Sequence, residues 1–139
     1  MRKLSSDVEK ITTPNKWYIQ LNMYKISKQF AFSASHVLNQ LCDKHPCARL
    51  HGHNYIVTIH LRSEKLNEFG FVKDYRELDF IKEFLDNTLD HRHLNDIIPF
   101  HPTAENIARY LFDIFCVELP ELYAVEVSET PKTSAIYEP

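Results

Sequence analysis

The triplet His51-Gly52-His53 places two imidazoles two positions apart, at the start of an alternating segment. Residues 53–61, HNYIVTIHL, carry an apolar side chain at every second position, which predicts a β-strand. On a strand, side chains at i and i+2 point to the same face and lie about 6.5–7 Å apart along the backbone. The two imidazoles therefore aim at one point, and Gly52 leaves the opposite face of the strand unobstructed.

A catalytic metal centre needs a third ligand, and His36 is the best candidate. It follows a first predicted strand, indicated by evenly spaced aromatic and β-branched residues: Tyr24, Ile26, Phe30 and Phe32. Because consecutive strands usually pair as neighbours, His36 should approach His51 and His53. Three neutral imidazoles with a fourth position left open describe a catalytic zinc site.

Two other interpretations of these histidines remain open. Each could be an ordinary surface or hydrogen-bonded histidine, which is the commoner fate of any single one. A closed structural zinc site would instead use Cys42, Cys47, His51 and His53. Its Cys-x4-Cys spacing is slightly wide for such a site, and it leaves His36 without a role.

Cys47 and the Asp90-His91 pair are candidates for proton transfer. A thiol four residues before His51 would have its pKa lowered by a nearby divalent cation and could act as base or nucleophile. A carboxylate can orient the adjacent imidazole as a proton shuttle, with His93 as a rival for that role. The alternative for Cys47 is a small buried residue.

Glu129 is a further candidate, whereas the two remaining cysteines are not. Glu129 ends another alternating segment, and its carboxylate could accept two N–H bonds from a guanidine-like ring edge, although a lone glutamate there is most often solvated. Cys42 and Cys116 are expected to be buried, Cys116 within a helix.

The remaining pattern predicts an α+β domain with the order β-β-α-α-β-β. A capping box at Asp74 and Glu77 begins one helix, and Pro102 with Thr103 sets up another, each followed by an apolar stripe at helical spacing. Residues 122–129 alternate as a strand, and the closing TSAIYEP could add a last one.

Composition sets the bounds. The 139 residues, 44% hydrophobic and 25% charged, suit one domain: we expect an N-terminal extension at 1–23 and a single domain at 24–139. A formal charge of −3 without a basic block disfavours a nucleic-acid-binding module. No apolar run is long enough to cross a bilayer, no signal-peptide core is visible, and the three cysteines are odd in number, so a cytoplasmic protein with free thiols is expected.

Six motifs resemble, in their order, those of the 6-pyruvoyl-tetrahydropterin and 6-carboxy-tetrahydropterin synthase family: FAFSASH, CARLHGHNY, GFVKDYRELD, LDHRHLN, PTAEN and VSET. The resemblance runs from about Lys25 to Tyr137. It implies a tunnelling fold, in which a four-stranded antiparallel sheet carries two helices on one face. It also implies that subunits join into barrel-like trimers and that two trimers stack into a homohexamer with active sites at subunit interfaces.

The resemblance also implies roles for individual residues. It assigns Zn²⁺ to three imidazoles: His36, His51 and His53. It assigns catalysis to a thiol and its proton-transfer partners: Cys47, Asp90 and His91. It makes one carboxylate the anchor for the 2-amino-4-oxo edge of a pterin and matches two other residues to the pocket wall: Glu129, Thr103 and Glu105.

The spacing Cys-x3-His-Gly-His resembles the 6-carboxy enzyme of the queuosine (7-deazaguanine) pathway, whereas pyruvoyl-type enzymes tend to have a longer gap. A third subtype has Glu where the thiol acts, and no Glu lies between positions 42 and 51. The expected reaction converts 7,8-dihydroneopterin triphosphate to 6-carboxy-5,6,7,8-tetrahydropterin, with release of triphosphate and acetaldehyde. The alternatives are a 6-pyruvoyl-tetrahydropterin synthase, which eliminates triphosphate and keeps the carbon chain, and a non-catalytic, zinc-stabilised oligomer.

Overall fold

A five-stranded sheet with two helices organises the chain in the computed structural model, which describes residues 22–139. The elements follow the order β1 Tyr24–His36, β2 His51–Ser63, α1 Asp79–Thr88, β3 Arg92–His93, α2 Ala104–Phe115, β4 Leu122–Thr130 and β5 Thr133–Tyr137. The N-terminal extension expected at 1–23 lies outside the described residues except for its last two.

The strands lie in the order β3-β1-β2-β4-β5, and all neighbours are antiparallel except the β1–β3 pair. The α+β class and the two helices are confirmed. The sheet has one strand more than expected, because Arg92 and His93 pair in parallel with Ala34 and Ser35 of β1. A two-residue strand has no periodicity that a sequence pattern could reveal.

One face of the sheet forms the core together with both helices. Phe30 lies opposite Val57, Phe32 opposite Tyr55, and Val57 opposite Val127, and all five side chains are buried. The helices add fully buried side chains to this cluster: Ile81, Leu85, Ile107 and Leu111. The same alternation continues to the end of β1 and the start of β2, where it turns three histidines toward the helix side of the sheet.

The two helices begin at signals that the sequence carries. Thr103 caps α2, its hydroxyl accepting the N–H of Asn106 at 3.3 Å. The capping box at Asp74 is present, with Glu77 accepting the Asp74 N–H at 3.2 Å. However, it opens a 3-10 turn over Tyr75–Leu78, and α1 begins only at Asp79.

The expectation that Cys42 and Cys116 are buried is wrong, since both are exposed. Cys116 caps the carboxyl end of α2, just after the buried Phe115, and its thiol lies 3.5 Å from the Asp113 carbonyl. Cys42 lies in the β1–β2 connection. Within residues 22–139, none of the helices combines the length and the apolar character that crossing a membrane would require.

Candidate metal centre and active site

His36, His51 and His53 converge as the spacing predicts. Register places His36 opposite His51 and Ala34 opposite His53, so all three rings lie at the same end of the β1–β2 pair. The Nε2 atoms of His36 and His51 are 2.9 Å apart, and one ring nitrogen of each of the three residues lies within 4.8 Å of the others. Among the described residues this is the one group of three or more metal-ligating side chains.

Two backbone carbonyls fix the tautomers of this cluster. His36 Nδ1 lies 2.8 Å from the Pro102 carbonyl oxygen, and His51 Nδ1 lies 2.6 Å from that of Arg49. A carbonyl can only accept, so each Nδ1 carries the proton and, in a neutral ring, Nε2 presents its lone pair. Two lone pairs 2.9 Å apart repel unless a proton or a metal cation lies between them.

His53 provides an independent indication of a bound cation. Its Nε2 atom is buried, and no hydrogen-bond partner for it exists among residues 22–139. A buried polar atom without a partner requires an explanation, and a metal ion shared with the other two imidazoles supplies one. The three residues therefore fit a metal of the open, catalytic type, for which imidazole nitrogens are suitable ligands.

The surroundings keep His36 neutral, which is the form that binds a metal. His36 is fully buried, and burial lowers its pKa, with smaller contributions from His51, His53 and His101. The hydrogen bond to the Pro102 carbonyl opposes this shift.

Tyr55 supports the same imidazole from behind. Its hydroxyl lies 3.2 Å from His36 Nδ1, and its ring stacks on Phe32 with 4.9 Å between centroids. The side chain is completely buried, and burial, with a contribution from the charge of Glu129, raises the pKa of the phenol. The alternating pattern identifies Tyr55 only as an apolar strand position, so it does not predict the role of the hydroxyl.

Cys47 lies in a 3-10 turn, Pro46–Ala48, immediately before β2. Its backbone is held on both sides: its N–H donates to His45 Nδ1 at 3.1 Å, and its carbonyl accepts the Leu38 N–H at 3.1 Å. The thiol is free and partly buried. The metal-ligating group of the described residues contains no cysteine, which argues against the closed Cys2His2 alternative.

Asp90 and His91 form a pair attached to β1. Asp90 Oδ2 accepts the His91 Nδ1–H at 2.7 Å, while Oδ1 accepts the Ser33 N–H at 2.8 Å. The Ser33 carbonyl in turn accepts the His91 N–H at 2.6 Å. The Ser33 N–H, followed by His91, lowers the pKa of Asp90. The rival His93 is instead bonded through Nδ1 to the Ser35 hydroxyl at 3.0 Å.

His91 is presented outward on a left-handed backbone, with φ at 56° and 83% of its side chain exposed. This conformation is uncommon for a residue other than glycine and is held by the bonds to Ser33. The ring therefore faces solvent in the single chain rather than being packed against it.

The remaining candidate residues line two separate cavities. Thr103, Glu105 and Glu129 line one of about 210 Å³, together with Leu38 and Val127. His91 lines a different, wider one of about 480 Å³, whose wall also includes these residues: Ser33, Ser35, Gly52, His53 and Asn54. One chain thus gathers the predicted pterin-binding residues in one cavity and places His91 in another, beside His53.

Glu129 also borders the metal cluster. Its two carboxylate oxygens lie 3.9 Å from His36 Nε2 and 3.9 Å from His53 Nε2, and its side chain is 25% exposed. The sequence predicted its position at a strand end but not its proximity to the imidazoles, because that depends on the register of β4 against β2.

Comparisons with known proteins identify the family of this chain. The family model described as 6-pyruvoyl tetrahydropterin synthase matches residues 25–139. The 6-carboxy-5,6,7,8-tetrahydropterin synthase of Synechocystis sp. is 36% identical over 83% of this chain and 93% of that protein. The 6-pyruvoyl tetrahydrobiopterin synthase of Homo sapiens is 31% identical over 81% and 90%, respectively. The solved structure of Caenorhabditis elegans 6-pyruvoyl tetrahydropterin synthase superposes with a TM-score of 0.74 at 29% identity, covering 86% of this chain and 97% of that one.

Proposed function

The chain belongs to the 6-pyruvoyl tetrahydropterin synthase family, and on this premise we propose that it is a zinc-dependent 6-carboxy-5,6,7,8-tetrahydropterin synthase. Its substrate is 7,8-dihydroneopterin triphosphate, and it releases triphosphate and acetaldehyde in cytoplasmic queuosine (7-deazaguanine) biosynthesis. Residues 24–139 form the single pterin synthase domain. The proposal rests mainly on one observation: three imidazoles converge next to Glu129, whose carboxylate also lines a cavity.

The cavity suits a pterin ring. Glu129 would accept two N–H bonds from the 2-amino-4-oxo edge, a bidentate arrangement that fixes the plane of the ring. Thr103 and Glu105, at the start of α2, line the same cavity and would form one wall around the ring. The side chain of the substrate would then point toward the imidazole cluster.

His36, His51 and His53 would hold Zn²⁺, which would supply Lewis acidity for the side-chain oxygens of the substrate. The thiolate of Cys47 removes a proton from a side-chain carbon, and His91, oriented by Asp90, transfers the second proton. Elimination would then release triphosphate. A water molecule would add to the remaining side-chain carbonyl next to the ring, and cleavage of the adjoining carbon–carbon bond would release acetaldehyde and leave the carboxylate.

We assign the active form to a homohexamer of two stacked trimers with sites at subunit interfaces. Two features support this assembly. Glu129 and the outward-facing His91 line different cavities of one chain, as expected if a neighbouring copy completes the site. Moreover, β3 pairs with only Ala34 and Ser35, which leaves the β1 edge at positions 24–33 without a strand partner among the described residues.

A 6-pyruvoyl-tetrahydropterin synthase is the second candidate, favoured by the human relative. The carboxy reaction is preferred because of the Cys-x3-His-Gly-His spacing and the Synechocystis relative. The remaining alternative, a non-catalytic zinc-stabilised oligomer, predicts that loss of the Cys47 thiol changes no chemistry.

Mass spectrometry of the products separates these functions. Zinc-loaded protein incubated with 7,8-dihydroneopterin triphosphate should yield the 6-carboxy product and acetaldehyde. Cys47→Ala should abolish the product with metal still bound, whereas Cys42→Ala, which removes an exposed thiol of the same connection, should retain it. A pyruvoyl product would assign the chain to the second candidate, and absence of turnover in wild type would refute both enzymatic functions.

A further inference from the structure

The Glu129 carboxylate faces the imidazole cluster. Three-quarters of its side chain is buried, yet within residues 22–139 it makes no hydrogen bond. Its nearest polar neighbours are the Nε2 atoms of His36 and His53, each 3.9 Å from a carboxylate oxygen. The carboxylate oxygens that face these two imidazoles have no hydrogen-bond donor among the described residues, and a bound cation would supply their partner.

The orientation of the imidazoles adds electrostatic repulsion between the Glu129 carboxylate and the ring nitrogens. The Pro102 carbonyl holds the proton of His36 on Nδ1, so the neutral ring presents a lone pair to the carboxylate. His53 Nε2 is buried and unpartnered among the described residues. Lone pairs and a carboxylate facing one another repel, and a cation between them converts each repulsion into a bond.

The carboxylate lies close enough to reach such a cation. Ligands about 2.1 Å from a tetrahedral ion lie roughly 3.4 Å from one another. The measured 3.9 Å exceeds this by about half an ångström, within the range of a glutamate side-chain rotation. Three imidazoles leave one position of a tetrahedral ion open, and Glu129 is the carboxylate that borders this position.

We propose that Glu129 alternates between two partners: it binds the metal as a fourth ligand when the pterin cavity is empty, and it leaves the metal to hold the ring edge when the pterin binds. The second half rests on the pterin-binding function proposed above. The metal position that the substrate side chain needs is thus opened by binding of the ring.

This alternation couples the two ligands. Metal binding requires the Glu129 side chain to rotate toward the imidazoles, away from the position that would hold the ring edge, so bound pterin should lower the affinity for the metal. By thermodynamic reciprocity, bound metal lowers the affinity for the pterin ring by the same factor.

Cobalt substitution tests the first half without any turnover. The visible absorption of protein-bound Co²⁺ depends on the identity and number of its ligands. The variant is Glu129→Gln, which keeps the shape and removes the charge. The matched control is Glu126→Gln on the same strand, where Glu126 is paired with His60 at 3.0 Å on the opposite face of the sheet.

Glu129→Gln should change the cobalt spectrum and weaken Co²⁺ binding by about ten- to a hundredfold, the range found when carboxylates that support a metal site are removed. Glu126→Gln should match wild type in both. A Glu129→Gln spectrum and affinity identical to wild type would overturn the proposal.

The second half uses pterin itself (2-amino-4-oxopteridine), which has the ring edge but no side chain to bind a metal. Adding it to cobalt-loaded wild type should move the spectrum toward that of Glu129→Gln and weaken Co²⁺ binding. Pterin that binds, as seen by quenching of its fluorescence, without changing the spectrum would overturn the release. If pterin does not bind at all, the pterin-binding function fails, while the comparison of the variants still decides whether Glu129 binds the metal.

Discussion

Replacing Tyr55 by Phe removes one hydroxyl behind the metal cluster and leaves the rest of the site in place. The hydroxyl lies 3.2 Å from His36 Nδ1, the side chain is completely buried, and the ring stacks on Phe32. Phenylalanine keeps the ring and its stacking. The substitution therefore isolates the contribution of a group that orients a metal ligand without touching the metal.

The magnitude follows from how the Nδ1 proton is shared. Removing an outer partner of a metal-ligating histidine typically costs ten- to a hundredfold in metal affinity. Here His36 keeps its shorter bond of 2.8 Å to the Pro102 carbonyl. We therefore expect Tyr55→Phe to weaken zinc binding about tenfold, or about 1.4 kcal/mol, while the metal-free protein loses about 1 kcal/mol or less in its free energy of unfolding.

Competition with a chromophoric chelator measures the zinc affinity, and urea unfolding of the metal-free protein measures its stability. Tyr137→Phe is the matched control, because its ring packs on Phe112 away from the histidines. The reasoning is refuted if Tyr55→Phe binds zinc as tightly as wild type, or if the control loses the same affinity.

Three further outcomes are expected. Gly52→Ala would place a Cβ 3.2 Å from the Ala34 carbonyl oxygen. This overpacking should cost about 1–3 kcal/mol, and removal of the extra flexibility of glycine should offset about 0.5–1 kcal/mol of that cost. The free energy of unfolding measured in urea should therefore decrease. Asp90→Asn removes the charged acceptor of the His91 Nδ1–H at 2.7 Å, so kcat with the pterin triphosphate should fall about 10²–10⁴-fold with zinc content unchanged; an unchanged kcat contradicts the assigned role. Folding lowers the pKa of His36 from its value of 6.5 in the unfolded chain. Below pH 6.5 the unfolded chain therefore binds more protons than the folded one. The free energy of unfolding of the metal-free protein should decrease as the pH falls from 6.5 toward the lower pKa of the folded state. His36→Asn should flatten that dependence, and an unchanged slope would contradict it.

The sequence predicts the convergence of the three histidines because that convergence depends on strand periodicity and on the pairing of consecutive strands. His51 and His53 share a face by alternation, and His36 arrives opposite them because β1 and β2 are neighbours. The cap at Thr103 was equally local. Each of these features is decided within a few residues or between adjacent elements.

What the sequence missed depends on contacts between distant segments. The short strand β3 exists because the Asp90–His91 pair is bonded to Ser33, 57 and 58 positions away. The proximity of Glu129 to His36 follows from two successive strand registers. Such placements carry no local pattern, so periodicity and capping signals could not reveal them.

The proposed pterin chemistry depends on a metal ion bound by His36, His51 and His53. The most direct test is elemental analysis of metal per chain in purified wild type and in His53→Ala after equilibration with zinc, with cobalt and nickel as competitors. We predict about one zinc ion per chain in wild type and a loss of nearly all of it in the variant, which should still fold because the His53 side chain is 20% exposed and lies outside the buried core. A wild type that binds no metal, or a folded His53→Ala that binds it equally well, would contradict the account.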